Sequence, residues 1–293
     1  MLAFSFYSPE EEIKSSLFRE KKVRVFVKRD DLIHPYISGN KWRKLKYPLK
    51  EARKQGKNKL VTFGGAWSNH LLATAAAAAK FGFQSYAFVR GEEISNPVLT
   101  LCKVFGMHLH FVSRSDYQEK TVLFERYFTD DQEAFFINEG GYGTMAAQGV
   151  AELVSEFQED YTDIICACGT GATVAGLIQG QAAGSQTRIH GIPVLKGGDF
   201  IREEVAALGQ DSTSLLLHND YHFGGYAKTK PELIQFVKDF SQETGILIEP
   251  TYTGKAFYGL YDLIKQNYFP PEAKIVIIHT GGLTGFLGMI DKF

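Results

Sequence analysis

From residue 59 onward the chain alternates short β-branched and aromatic runs with longer helical stretches, and this alternation limits the fold more than any other feature. The runs at 59–63, 84–89, 108–112 and 134–137 read as strands, and helices are expected to begin near Ser68, Pro97 and Asp116. Strand starts recur about every 25 residues, the spacing of units in which a crossover helix joins parallel strands. A second series follows at 163–168, 188–193, 215–218, 246–248 and 274–279, with helices expected at 173–183, 200–208, 231–244 and 254–266. The early run 23–28 is expected to join the second sheet. This pattern predicts an α/β protein with two open, mostly parallel sheets in three-layer α/β/α units, ligand lying at the carboxyl ends of the strands. We assign residues 1–44 and 143–293 to a larger unit and 45–142 to a smaller one.

A length of 293 residues is more than most single cores hold and fits two modest units. Lys plus Arg number 32 and Asp plus Glu 33, so no whole-chain field favours nucleic acid or an anionic membrane. Arg43, Lys44 and Lys46 read as one solvated helix face. The cysteines Cys102, Cys166 and Cys168 have neither disulfide nor metal spacing. Cys166 and Cys168 point to the same side of a strand and are expected to be buried. The start of the chain lacks the pattern of a secretory leader, and the apolar stretch 71–79 is too short to span a bilayer. A cytoplasmic location is the expectation.

Four places carry chemistry. In the first, an apolar strand enters the small-residue turn Gly169, Thr170, Gly171, Ala172, Thr173, and a helix leaves it. Exposed N–H groups and a positive helix end suit a phosphate there. Val174 breaks the dinucleotide fingerprint, and a Gly-Lys pair for a Walker loop is missing. In the second, Lys41 follows Ser38, Gly39 and Asn40 where a helical pattern begins. The helix field lowers the proton affinity of an amine so placed and favours imine chemistry, and a solvated surface lysine is the other reading of the same placement. In the third, Gly64, Gly65, Ser68, Asn69 and His70 form a strand-end loop, in which Ser68 and Asn69 also serve as helix caps. His70 reads either as an acid-base group or as a packed histidine. In the fourth, Tyr226 lies in a Gly-Gly-Tyr loop, and Tyr252 precedes a helix whose dipole is expected to lower its pKa. Lys255 reads as a helix-start residue facing solvent. Gly281 and Gly282, after Thr280, have room for a flat ring or a second anion.

Taken in order, these segments resemble the fold-type II pyridoxal-phosphate enzymes, with a tryptophan-synthase-β-like fold. Within them they are similar to the group of D-cysteine desulfhydrase and 1-aminocyclopropane-1-carboxylate (ACC) deaminase. The resemblance runs from Lys28 to Gly282 and implies pyridoxal 5'-phosphate in a cleft between the two units. It implies that Lys41 is the Schiff-base lysine and later moves the Cα proton. Asn69 then bonds the ring hydroxyl, Ser68 holds the substrate carboxylate beside His70, and residues 169–173 take the phosphate. Tyr226 and Tyr252 line the substrate face. The deaminases of this group have glutamate and leucine where this chain has Thr253 and Thr280, which border the cofactor. Without a carboxylate at the pyridine nitrogen the resemblance implies a desulfhydrase acting on D-cysteine, with ACC deamination second. A small amino acid as substrate and a homodimer follow at family level. A phosphometabolite-binding protein without catalysis is the reading from another class, and the intact Lys41 argues against it.

Overall fold

A computed structural model describes residues 4–293 and places ten strands and ten helices along the chain. In order these are β1 (Glu10–Ile13), α1 (Ser16–Glu20), β2 (Arg24–Lys28), α2 (Asn40–Lys54), β3 (Lys59–Gly65), α3 (Asn69–Phe81) and β4 (Gln84–Arg90). Then come α4 (Pro97–Val104), β5 (Met107–Val112), α5 (Lys120–Phe128), β6 (Ala134–Phe136), α6 (Thr144–Ala151), β7 (Asp163–Cys168) and α7 (Ala172–Gly180). The chain ends with β8 (Arg188–Pro193), α8 (Phe200–Ala207), β9 (Leu215–Leu217), α9 (Pro231–Thr244), α10 (Thr253–Lys265) and β10 (Lys274–Ile278). A final 3-10 segment covers Leu283–Lys292.

Two sheets result, as the alternation predicts. One has the order β1-β2-β10-β7-β8-β9 and the other β5-β4-β3-β6. Every pairing is parallel except β1 with β2. The central strands are apolar on both faces because helices cover both. Along β10, Ile275 and Ile277 pack with Phe240 of α9 and Phe257 of α10, while Val276 and Ile278 pack with Val150 of α6 and Val174 of α7. Cys166 and Cys168 of β7 share that second face and are buried, as their spacing predicts. In the smaller sheet Ala87 and Val89 face the α3 and α4 side, and Phe88 faces Leu123 and Phe128 of α5.

Several expectations need correction. Residues 246–248 form no strand, because that stretch has no ladder partner; Ile246 and Ile248 instead anchor a connection into the core. The region after Asp116 first makes a short 3-10 turn, so α5 starts only at Lys120. Strand β1 was missed because Glu-Glu-Glu-Ile offers one buried side chain and lies at a sheet edge. Arg43 and Lys44 are buried rather than solvated. Arg43 makes a two-bond fork to Asp30 and a second to Glu156, at 2.7–2.8 Å, and Lys46 pairs with Glu152.

Helix α2 reaches the larger sheet through unusually close contacts. A Cβ on Gly149 of α6 would stand 2.0 Å from the Arg43 carbonyl oxygen, and one on Gly176 of α7 2.6 Å from that of Ala147. Only glycine lets α2, α6 and α7 approach this far. Their amino ends carry the groups described next.

Candidate active site

At the end of β7 the chain turns through Gly169 and Thr170, and Gly171, left-handed at φ +78°, caps α7. Among the described residues, the N–H groups of Gly169, Thr170, Gly171, Ala172 and Thr173 meet no protein acceptor. Five donors and a helix amino end at one turn make an anion cup. The Thr173 hydroxyl accepts from Asn40 Nδ2 at 3.1 Å, which leaves its own proton free to donate.

Asn40 also receives the Lys41 amine, whose Nζ donates to Asn40 Oδ1 at 3.0 Å. The amine and the cup are therefore two hydrogen bonds apart through one amide. Burial, and then the Lys44 charge, hold Lys41 well below the usual lysine range against the opposing pull of Glu249. The expected direction holds, with desolvation as the main cause. Lys44 is pushed down to about 8, chiefly by burial.

The loop after β3 seats three predicted residues. Ser68 caps α3, its hydroxyl accepting from Leu71 N at 3.4 Å. Asn69 Oδ1 accepts from the Thr284 hydroxyl at 3.2 Å, and a Cβ on Gly282 would lie 2.4 Å from Asn69 Nδ2. The late glycines thus make room for the protein's own side chains, Asn69 at Gly282 and Ser38 at Gly281. His70 is enclosed, with Nε2 2.8 Å from the Thr62 hydroxyl. That hydroxyl gives its proton to Ile137 O at 2.8 Å, so His70 is the donor through Nε2, and its buried Nδ1 meets no partner among the described residues. Burial and the charges of Lys41 and Lys44 hold His70 well below the ordinary range, so it stays neutral.

Across the site, the Tyr252 hydroxyl donates to that of Tyr226 at 3.3 Å, and the two rings meet edge to face. Tyr252 also lies against Gly169, 3.3 Å from where a Cβ there would be. The pKa expected to fall is instead raised well above the phenol range. Burial leads, followed by Tyr226 and Glu249, and these outweigh the helix end. Thr253 is buried, and its hydroxyl accepts from Glu249 N at 2.9 Å while donating back toward Glu249. Both Glu249 oxygens are taken by the N–H groups of Thr251, Tyr252 and Thr253 at 2.7–2.8 Å. Burial lifts this carboxyl to about 7 even so. Thr280 is buried too, and its carbonyl accepts from Asn40 N at 3.2 Å.

Three positions escaped sequence reasoning. Asn40 and Glu249 stood inside quoted motifs without a role, although an acidic residue just ahead of a helix start suits the positive end of its dipole. Thr284 carries no local signal, since its partner is 215 residues away. Among the described residues no group of three or more metal-ligating side chains occurs, and no helix is long and apolar enough to cross a membrane.

An amine of low proton affinity, an anion cup and an amide held beside them fit a ligand with a carbonyl, a phosphate and a polar ring substituent. The profile of the "Pyridoxal-phosphate dependent enzyme" family matches residues 13–281. The bifunctional D-cysteine desulfhydrase/1-aminocyclopropane-1-carboxylate deaminase of Arabidopsis thaliana is 30% identical, over 92% of this chain and 74% of its own. D-cysteine desulfhydrase of Klebsiella pneumoniae is 31% identical over 88% and 86%. The solved structure of an ACC deaminase homologue superposes with a TM-score of 0.85 at 30% identity, covering 99% of this chain and 93% of the other. The chain thus belongs to the pyridoxal-phosphate-dependent enzymes of fold type II, in the D-cysteine desulfhydrase and ACC deaminase group, and pyridoxal phosphate is its cofactor.

Proposed function

We propose that the protein is a D-cysteine desulfhydrase, converting D-cysteine and water to pyruvate, sulfide and ammonia. The observation that carries this choice is Thr253. Its side chain is a neutral hydroxyl bonded to Glu249, so this position offers no carboxylate to a pyridine nitrogen. Expulsion of a thiolate demands less electron withdrawal than opening a cyclopropane, which favours elimination.

Residues 169–173 would hold the cofactor's phosphate and Lys41 its carbonyl end, in a cleft between the two units, and the bound group would supply the electron sink for bond cleavage at Cα. The Lys41 amine takes the Cα proton, a task suited to an amine of low proton affinity. Asn69 donates to the ring hydroxyl, with Thr284 orienting its amide. The Ser68 hydroxyl binds the substrate carboxylate, and neutral His70 supports that loop from within. Thr253 and Thr280 border the ring. Tyr252 retains its proton and donates a hydrogen bond to the departing thiolate as the Cβ–S bond breaks, with Tyr226 as its hydroxyl partner. Water then hydrolyses the released enamine, after its shift to an imine, to pyruvate and ammonia.

The division at residues 44/45 and 142/143, a homodimer and a cytoplasmic location accompany this reading. ACC deamination is the second reading, favoured by the double name of the Arabidopsis relative. Purified enzyme assayed side by side on D-cysteine, L-cysteine, D-serine and ACC tests the choice. Sulfide and pyruvate from D-cysteine support it. Efficient release of 2-oxobutanoate from ACC without sulfide from D-cysteine overturns it.

A further inference from the structure

Lys255 lies in the first turn of α10, three residues after Tyr252, where the sequence suggested a solvent-facing side chain. It is fully buried. All three of its protons go to backbone carbonyls: Val194 O at 3.1 Å, His222 O at 2.8 Å and Gly225 O at 2.7 Å. The first acceptor follows β8, and the other two belong to the loop that carries Tyr226.

That loop is costly to hold. Phe223, Gly224, Gly225 and Ala227 have φ of +52°, +99°, +123° and +54°, so Tyr226 is flanked by left-handed residues on both sides, and two of them carry a Cβ. Such backbone persists only where its surroundings over-determine it. Tyr226 itself is 44% exposed, so its packing supplies little of that restraint. Lys255 bonds the carbonyl immediately before Tyr226 and another three residues earlier. The same helix turn carries Tyr252, whose hydroxyl meets that of Tyr226.

We propose that Lys255 is the positioning residue of the tyrosine pair: it ties the strained Tyr226 loop to the first turn of α10 and so sets the Tyr226 hydroxyl against Tyr252. The inference rests on the reading of Tyr226 as a group on the substrate face. Lys255 itself bonds none of residues 169–173, so its replacement should leave cofactor binding intact.

The test is a double-mutant cycle in the holoenzyme, with Lys255→Met, Tyr226→Phe and both together. Lys255→Met should keep the cofactor absorption band and a KM for D-cysteine within about twofold, while kcat falls about tenfold or more. The double variant should be no slower than Tyr226→Phe alone, because the two changes remove one function. In parallel, 3-fluorotyrosine at position 226 should give one fluorine resonance in the parent protein and a shifted or broadened one in Lys255→Met. If the Met variant does not fold, Lys255→Gln, which keeps two donors, takes its place in both measurements. An unchanged fluorine line, an unchanged kcat, or losses that multiply in the double variant would overturn the proposal. Should Tyr226→Phe alone turn over at the parent rate, the role of Tyr226 in the reaction fails instead, and the fluorine line alone decides Lys255.

Discussion

Lys41 and Tyr252 show how far side-chain chemistry departs from what local sequence suggests. For both, the helix end was the visible cue, and for both burial dominates. Burial pushes an amine down and a phenol up, so the direction expected from the helix end is met for Lys41 and reversed for Tyr252. Lys41→Ala should fold, lose the cofactor absorption band and lose essentially all turnover; full activity in that variant would remove Lys41 from its role. Tyr252→Phe should lower kcat by roughly 10²–10⁴-fold with cofactor binding unchanged, as measured by steady-state kinetics and cofactor titration. Arg43 and Lys44 illustrate what sequence could not reveal. Their spacing looks like a wet helix face, yet Arg43 meets Glu156 113 residues away, and only the fold brings that carboxylate in.

Elements were legible where composition and period agreed. Helix α9 runs from Pro231 to Thr244 as its periodicity predicts, because a proline starts it and Gly245 ends it at φ +70°. The apolar runs β7 and β8 were equally plain. By contrast, 246–248 looks like a strand locally, and only the absence of a neighbouring strand decides otherwise. The strand-to-helix turn 169–173 was legible in its small residues, but its link to Lys41 through Asn40 was not, since the two segments are 133 residues apart. Gly171→Asp should weaken binding of pyridoxal phosphate by at least ~1 kcal/mol through like-charge repulsion at the helix end. Gly171→Asn is the control: asparagine tolerates the same left-handed backbone without the charge. Equal cofactor affinity in the two variants would mean that shape, not charge, governs the cup.

At the scale of the whole molecule, proton uptake couples sites far from the chemistry. Asp163 of β7 accepts from His190 at 2.8 Å and from Arg188 at 2.7 Å, and His190 meets His218 at 3.0 Å. Burial, and then the neighbouring His190, bring His218 down to about 4 from an ordinary value near 6.5. Between those values the unfolded chain holds a proton that the folded protein does not, so acid favours unfolding there. The stability of the parent protein relative to His218→Gln should therefore decline as pH falls from about 6.5 toward 4 and level off below. Urea midpoints at pH 7 and pH 5 measure this, and a difference independent of pH would exclude the assignment.

The order of strands in the larger sheet also sets a schedule. Strand β10, made from residues 274–278, lies between β2 and β7, so the last of these ten strands in chain order is an interior one. Until it arrives, β2 and β7 have no common neighbour, and two apolar strands wait with open edges, a hazard for association between chains. The strands of the smaller sheet all lie within residues 59–136. Synthesis therefore presents a finished small sheet beside an unfinished large one, and the cup at the end of β7 is completed only when the strand beside it slides into place. Pulsed hydrogen exchange on chains stalled before residue 274 should find β3 and β4 protected and β7 open; protection of β7 in such chains would contradict this order.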